Sequence, residues 1–315
     1  MRHILIFISI FFIALSCDPN EREFDGVESV ENLLKDMEHP AQSFTFDIEN
    51  GITIQGQEGT LIEIKPNSLV FDNGETAKGE VLIELVECYK LSDLITHNLT
   101  TIDLDGKVIQ TEGMIWIRAS SQGRDLALKD SECLNIGFPK KGEHEFSLFY
   151  GSENKEEDFV EWIQQDSADL NKGIILSDTL SVETMLIEGY SEDDYYFFTS
   201  SKFGWLNCDR YPIFGKSSKV IVSVNQTAEN IKLRLILTDM KAVRPAFKES
   251  KNKYSFSAVP NNEKFFVFGF YESEGVFYVG KSETNLLDGQ TKNIKLEFEE
   301  MSKEAAKEYI KDITW

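Results

Sequence analysis

Residues 59–87 read GTLIEIKPNSLVFDNGETAKGEVLIELVE. Two stretches, TLIEI (Thr60–Ile64) and EVLIELVE (Glu80–Glu87), alternate in polarity and are rich in β-branched residues. That is the pattern of strands with one face in a core. Between them, Asp72-Asn73-Gly74 offers residues that accept positive φ cheaply, as tight turns require. The same texture returns in FTFDI (Phe44–Ile48), GMIWIRA (Gly113–Ala119) and EFSLFY (Glu145–Tyr150), with turn signals at Asn50-Gly51, Asp105-Gly106 and Gln122-Gly123. Many short strands with regular turns and little helix predict a sandwich or barrel. Residues 44–150 are therefore expected to form one β-sandwich.

A second β pattern runs from Lys219. KVIVSV, IKLRLIL, YSFSAV, FFVFGFY, VFYVG and KNIKLEF are six strand candidates, with turns at Glu274-Gly275 and Asp288-Gly289. Residues 219–299 are read as a second, small sandwich, immunoglobulin-like in topology. Residues 151–218 are less regular and are read as a connector. Val27, Val30, Leu34 and Met37 recur at helical spacing, and Pro40 ends the pattern. Residues 17–43 thus read as a tether with one short helix. Residues 300–315 read as a final helix and tail with Ser302 as N-cap. The expected class is mainly β, with two sandwiches and two short helices.

The chain starts differently. Ile4 to Leu15 is a twelve-residue apolar run preceded by Arg2. As a helix it would reach about 18 Å, short of the ~30 Å of a bilayer core. It has the size of a signal-peptide core. Ala14, Leu15 and Ser16 precede Cys17. This resembles a bacterial lipoprotein signal, which implies removal of residues 1–16 and acylation of Cys17. The usual pattern has Leu where this chain has Ala14. Several acyl chains on one cysteine anchor a protein stably. Asp18 to Glu23 resembles the surface-export signal of Bacteroidota lipoproteins. An Asp directly after the cysteine also resembles the inner-membrane retention signal of enteric bacteria. An outer-membrane, lipid-anchored location is expected, facing either the periplasm or the surface.

The stretch Gly59–Glu87 also looks like the opening of a ZU5-type β-sandwich. There a glycine leads into a strand, a proline-containing turn follows, and the next strand alternates regularly. TIDLDGKVIQTEGMIWIRASSQGRDLAL (Thr101–Leu128) resembles its continuation in lipoproteins of Bacteroidota. The resemblance covers about a third of the chain and implies an interaction or structural module. Some ZU5-type domains cleave themselves before the serine of a His-Phe-Ser sequence. Here GEHEFSLFYG puts His144 three places before Ser147. On a strand that spacing places the two on opposite faces, so self-cleavage is not expected.

Composition narrows the function further. There are 32 Lys and Arg against 54 Asp and Glu, a net charge of −22. This excludes nucleic acid as the expected partner, since such affinity comes mostly from neutralising phosphates. It also argues against adsorption to an anionic membrane, so a lipid must do the anchoring. With Cys17 acylated, Cys88, Cys133 and Cys208 allow at most one internal disulfide, with three possible pairings. HExxH, GxSxG and glycine-rich phosphate loops do not occur. SEDD (Ser191–Asp194) and DLDG (Asp103–Gly106) lack EF-hand spacing and read as a loop and a hairpin turn. No metal, cofactor or enzymatic activity is expected.

One segment stands out as a candidate ligand or interdomain site: FGWLNCDRY (Phe203–Tyr211), at the end of the most aromatic stretch downstream of Cys17. Trp205 offers a stacking surface, Arg210 a fork for a carboxylate, and Asn207 and Asp209 polar contacts between them. The competing reading makes Trp205 a plug between the two sandwiches and Asp209-Arg210 a turn. The reading that results is a non-enzymatic, lipid-anchored envelope protein with a protein or glycan partner. A surface carbohydrate-binding accessory is the first alternative, and a self-cleaving or hydrolytic enzyme the second.

Overall fold

The structure is a computed structural model that describes residues 29–154, 159–165, 187–225 and 230–315. The expected signal segment 1–16, Cys17 and the tether as far as residue 28 lie outside the described residues.

Helix α1 (Val30–Met37) comes first. Ser29 caps it by accepting the Asn32 N–H at 3.1 Å, and the chain leaves it before Pro40. Strands β1 (Gln42–Asp47), β2 (Ile52–Gln55), β3 (Leu61–Ile64), β4 (Leu69–Phe71) and β5 (Glu80–Cys88) lead to the short helix α2 (Leu91–Thr96). Then come β6 (Leu99–Asp103), β7 (Gln110–Ser121), β8 (Arg124–Leu128), β9 (Leu134–Pro139) and β10 (Ser147–Asn154). Strands β11 (Phe159–Gln164), β12 (Tyr195–Ser200) and β13 (Gly204–Arg210) complete the first half.

These strands make two sheets. A nine-stranded sheet runs β1-β5-β7-β13-β10-β11-β6, with β8 on β7 and β4 on β8. It packs on a four-stranded sheet, β12-β9-β3-β2. Alternate residues of each point into one core: Val81, Ile83, Leu85, Ile115 and Leu206 from the large sheet, and Ile62, Ile136 and Phe138 from the small one. Of residues 151–218, read from sequence as a connector, those in the described strands up to Arg210 belong to this unit. They supply part of β10 and all of β11, β12 and β13, and β13 lies in the middle of the large sheet between β7 and β10. Local alternation misses them because β11 pairs in parallel with the distant β6 and β12 pairs with β9.

The second unit contains β14 (Ser217–Val224), β15 (Lys232–Leu237), β16 (Ala242–Pro245), β17 (Phe247–Ser250) and β18 (Lys253–Pro260). It continues with β19 (Lys264–Ser273), β20 (Val276–Lys281), β21 (Asn285–Leu286), β22 (Lys292–Leu296) and β23 (Glu299–Met301). Its sheets run β17-β18-β14-β22 and β16-β15-β19-β20-β23, with β21 on β19. Helix α3 (Lys303–Lys311) ends the chain, capped as expected by Ser302, which accepts the Ala305 N–H at 3.2 Å. The Gln122-Gly123 and Glu274-Gly275 turns have both central residues at positive φ, +52° and +73°, then +56° and +79°. That is the geometry that lets two-residue hairpins follow strand twist.

Strand β19 shows how the halves join. Phe265, Val267 and Tyr271 face the second unit's own core, whereas Phe266, Phe268 and Phe270 face the other way. An unbroken apolar run is the mark of a strand buried on both faces. The far side of β19 meets Leu33 and Leu34 of α1, Leu91 and Leu94 of α2, Ala306 and Ile310 of α3, and Phe149 and Trp162 of the large first sheet. Trp162 is fully buried there and donates its indole N–H to Thr100 O at 2.6 Å. Thr101 Oγ1 accepts the Val243 N–H at 2.8 Å, tying β6 to β16. Two sandwiches thus share a third apolar core filled by three short helices. Among the described residues no helix is long and apolar enough to cross a membrane.

Candidate functional site

Strand β13 carries the residues singled out from sequence. Leu206 and Cys208 turn into the first core, and Trp205 and Asn207 turn to the opposite face of the sheet, toward the junction. A register shift against β7 follows Cys208. Thr111 Oγ1 donates to Asn207 Oδ1 at 3.0 Å, and Asn207 Nδ2 donates to Asp209 Oδ2 at 2.6 Å. Both Asn207 and Asp209 are 0% exposed. Burial drives the Asp209 carboxyl well above the usual range, and its Oδ1 has no partner. A carboxyl in that setting is kept neutral, because an isolated buried charge is costly. Next to this chain, Thr111 N donates to Lys241 O at 3.4 Å, and Lys241 Nζ lies 3.4 Å from Glu112. Asn207 and Asp209 therefore sit where the first unit meets the second.

Arg210 is not placed as a fork for an incoming carboxylate. Its Nε donates to Gln110 Oε1 at 2.8 Å, and its guanidinium lies 5.9 Å from the Phe146 ring centre. Asp209 and Arg210 belong to a strand and not to a turn. The neighbouring Tyr211 donates to Asp103 Oδ2 at 2.9 Å, and burial together with that contact raises its hydroxyl to about 12. Asp103 Oδ1 accepts the N–H groups of Asp105 and Lys107, so DLDG closes a turn on itself.

Trp205 is half-buried, with its ring edge-on to His97 at 5.8 Å. Gly151 makes room for it, since a Cβ there would stand 2.5 Å from Trp205 Cβ. A cleft of about 350 Å³ opens beside Trp205, lined by His97, Asn98, Glu153, Asn154 and Phe159. Burial, and then the charge of His39, lower the His97 pKa to about 4, so its ring is neutral at ordinary pH. A neutral imidazole, an indole and side-chain amides can hydrogen-bond and stack against a polar ligand.

A second cleft, of about 320 Å³, was not foreseen. It lies between α2 and the β2–β3 loop and is lined by His39, Gln42, Glu58, Glu87, Lys90 and Asp93. Glu87 is its buried anchor. Its carboxylate accepts the Gln42 amide at 2.8 Å and the Glu58 and Thr60 backbone N–H groups at 2.9 Å each. Gly56 permits this, because a Cβ there would lie 2.5 Å from the carboxylate. Asp93 accepts the Lys90 N–H at 3.0 Å in the first turn of α2, and burial raises its carboxyl. Nothing local in the sequence marks Glu87, which is one acid among 54.

The remaining expectations can be placed directly. Cys88, Cys133 and Cys208 are buried free thiols, so none of the three possible pairings is formed. Burial pushes the Cys88 and Cys208 thiols well above their ordinary value. His144 is exposed ahead of β10, and Ser147 Oγ accepts the Gln164 amide at 3.1 Å. Among the described residues, no group of three or more His, Cys, Asp or Glu side chains is placed to hold a metal ion. Compared with known proteins, the chain matches no family model and no curated sequence.

Proposed function

We propose that this chain is a lipid-anchored envelope protein, held to a bacterial outer membrane through Cys17 and serving there as a binding or scaffolding module. The observation that carries the reading is Cys17 itself. It stands at the end of a twelve-residue apolar run, after Ala14-Leu15-Ser16 and before an acidic stretch. The body suits the role, because two sandwiches with a common core present large sheet faces. The ZU5-like pattern of residues 44–150 points to the same class of module, whose partner would be a protein or a glycan. Growth of the expressing cells with an alkyne-tagged fatty acid tests the anchor. The wild-type protein is expected to take up the label and to fractionate with the outer membrane, and Cys17→Ala to lose both. Equal labelling of the two proteins would overturn the reading.

A further inference from the structure

The chain is acidic, but one sheet is not. Strands β14, β17, β18 and β22, with the β17–β18 turn, carry Lys219, Lys248, Lys251, Lys253, Lys292 and Lys295 against a single acid, Glu249. Six cations and one anion on these elements contrast with 32 and 54 over the whole chain. Lys292 and Lys248 pair with the core-facing Val220 and Tyr254, so the outer face carries Lys219, Lys253 and Lys295, and it is shaped as well as charged. A cleft of about 400 Å³ lies on it, lined by Ile221, Ser223, Asn252, Lys253, Asn293 and Lys295. That volume falls in the range of small-ligand sites.

Two further features narrow the ligand. Asn252 Oδ1 is shielded from solvent and accepts no hydrogen bond. A buried acceptor left unmade is costly, and a donor brought by a ligand relieves it once the partly exposed Asn252 side chain turns toward the cleft. A bare carboxylate or phosphodiester oxygen cannot donate to it, whereas a hydroxyl can. Phe247 is 72% exposed and shares a cross-strand row with Ser255 and Ile221, and Ile221 pairs with Asn293. At ordinary strand spacing the ring stands about 10 Å from Ile221 on the cleft floor. An exposed ring at that distance can stack on the C–H face of a sugar. Lys253 is shared with Glu249 at 3.2 Å, and Lys295 meets the exposed Glu297 at 2.6 Å. Glu249 is only partly exposed and also holds Lys219, whereas both partners of the Lys295–Glu297 pair are exposed, and such pairs exchange partners readily.

We propose that the outer face of the β17-β18-β14-β22 sheet binds an acidic saccharide. Lys253 and Lys295 face its carboxylates, Asn252 Oδ1 accepts one hydroxyl, and Phe247 stacks on a neighbouring ring. The site does not depend on Cys17, so failure of fatty-acid labelling leaves it standing.

The test is titration of the purified full chain with polygalacturonate, alongside neutral dextran, poly-L-glutamate and phosphatidylglycerol vesicles. Saturable, salt-sensitive binding is expected for polygalacturonate alone. Asn252→Ala should weaken it about fivefold, and Lys253→Gln with Lys295→Gln about tenfold. Phe247→Ala and Lys295→Gln alter exposed side chains, so their melting temperatures should stay close to wild type while affinity falls. Three results would each overturn the proposal: no binding to polygalacturonate, equal binding to poly-L-glutamate or the vesicles, or unchanged affinity when Asn252→Ala and Phe247→Ala are combined.

Discussion

Asn207 donates its amide to one oxygen of Asp209 at 2.6 Å, while the other Asp209 oxygen, equally buried, has no partner. Burial therefore raises the Asp209 carboxyl in the folded protein above its value in the unfolded chain. With the folded pKa raised, its stabilising effect is complete below the unfolded pKa and is lost as pH climbs toward the folded value. Asp209→Asn keeps the shape without that cost. It should stabilise the protein at pH 7 by about 1–3 kcal/mol, with the gain shrinking toward zero near pH 4. Thermal melts from pH 4 to pH 8 read this directly, and parallel curves for the two proteins would refute it.

Glu87 holds the β2–β3 loop by accepting two backbone N–H groups and the Gln42 amide. Glu87→Ala leaves those donors unmatched and is expected to cost about 3 kcal/mol. Gly56→Ala, by crowding the carboxylate, should cost on the order of 1–3 kcal/mol. Urea unfolding would show both, and an unchanged midpoint for Glu87→Ala would make the cluster incidental.

His97 offers a second pH signature, of opposite sense. Its folded pKa of about 4 lies below that of a free imidazole. Stability is therefore present above about pH 6.5 and lost as pH falls toward 4. Removing the ring that shields it, in Trp205→Ala, should raise the His97 pKa and cost about 3 kcal/mol in packing. An NMR titration of the imidazole protons tests the shift. If a polar ligand fills the cleft, the same variant loses it while remaining folded.

The three buried thiols yield a labelling prediction. Cys88 and Cys208 are 0% exposed and have raised pKa values, so a thiol reagent should leave them unmodified until the protein unfolds. Denaturation should release all three, Cys17 aside. Mobility on a gel should not change with reductant, whereas a shift would reveal a disulfide.

The legible parts of this fold were those whose information is local. Alternation marked β3, β5 and β20, a serine marked the start of α3, and Glu274-Gly275 marked a hairpin. Strand β13 was hidden because its central position buries residues on both faces. GWLNCDR then reads as a dense mixture of aromatic and polar groups, which resembles a binding loop more than a strand. Helix α2, with six residues, is too short to show a period. At the site, Trp205 stands out through the aromatic density of the stretch that ends in FGWLNCDRY. Glu87 and Asn252 do not, because burial and an unmatched oxygen are properties of the folded chain.

Helices α1 and α3 lie against each other in the shared core, and Asp36 bridges Lys303 and Lys307 at 3.0 and 3.2 Å. A pull applied at Ser29 would therefore act on a clasp made from both ends of the described chain, and it would not peel a strand from a sheet edge. Load entering there would reach both sandwiches through the same three helices.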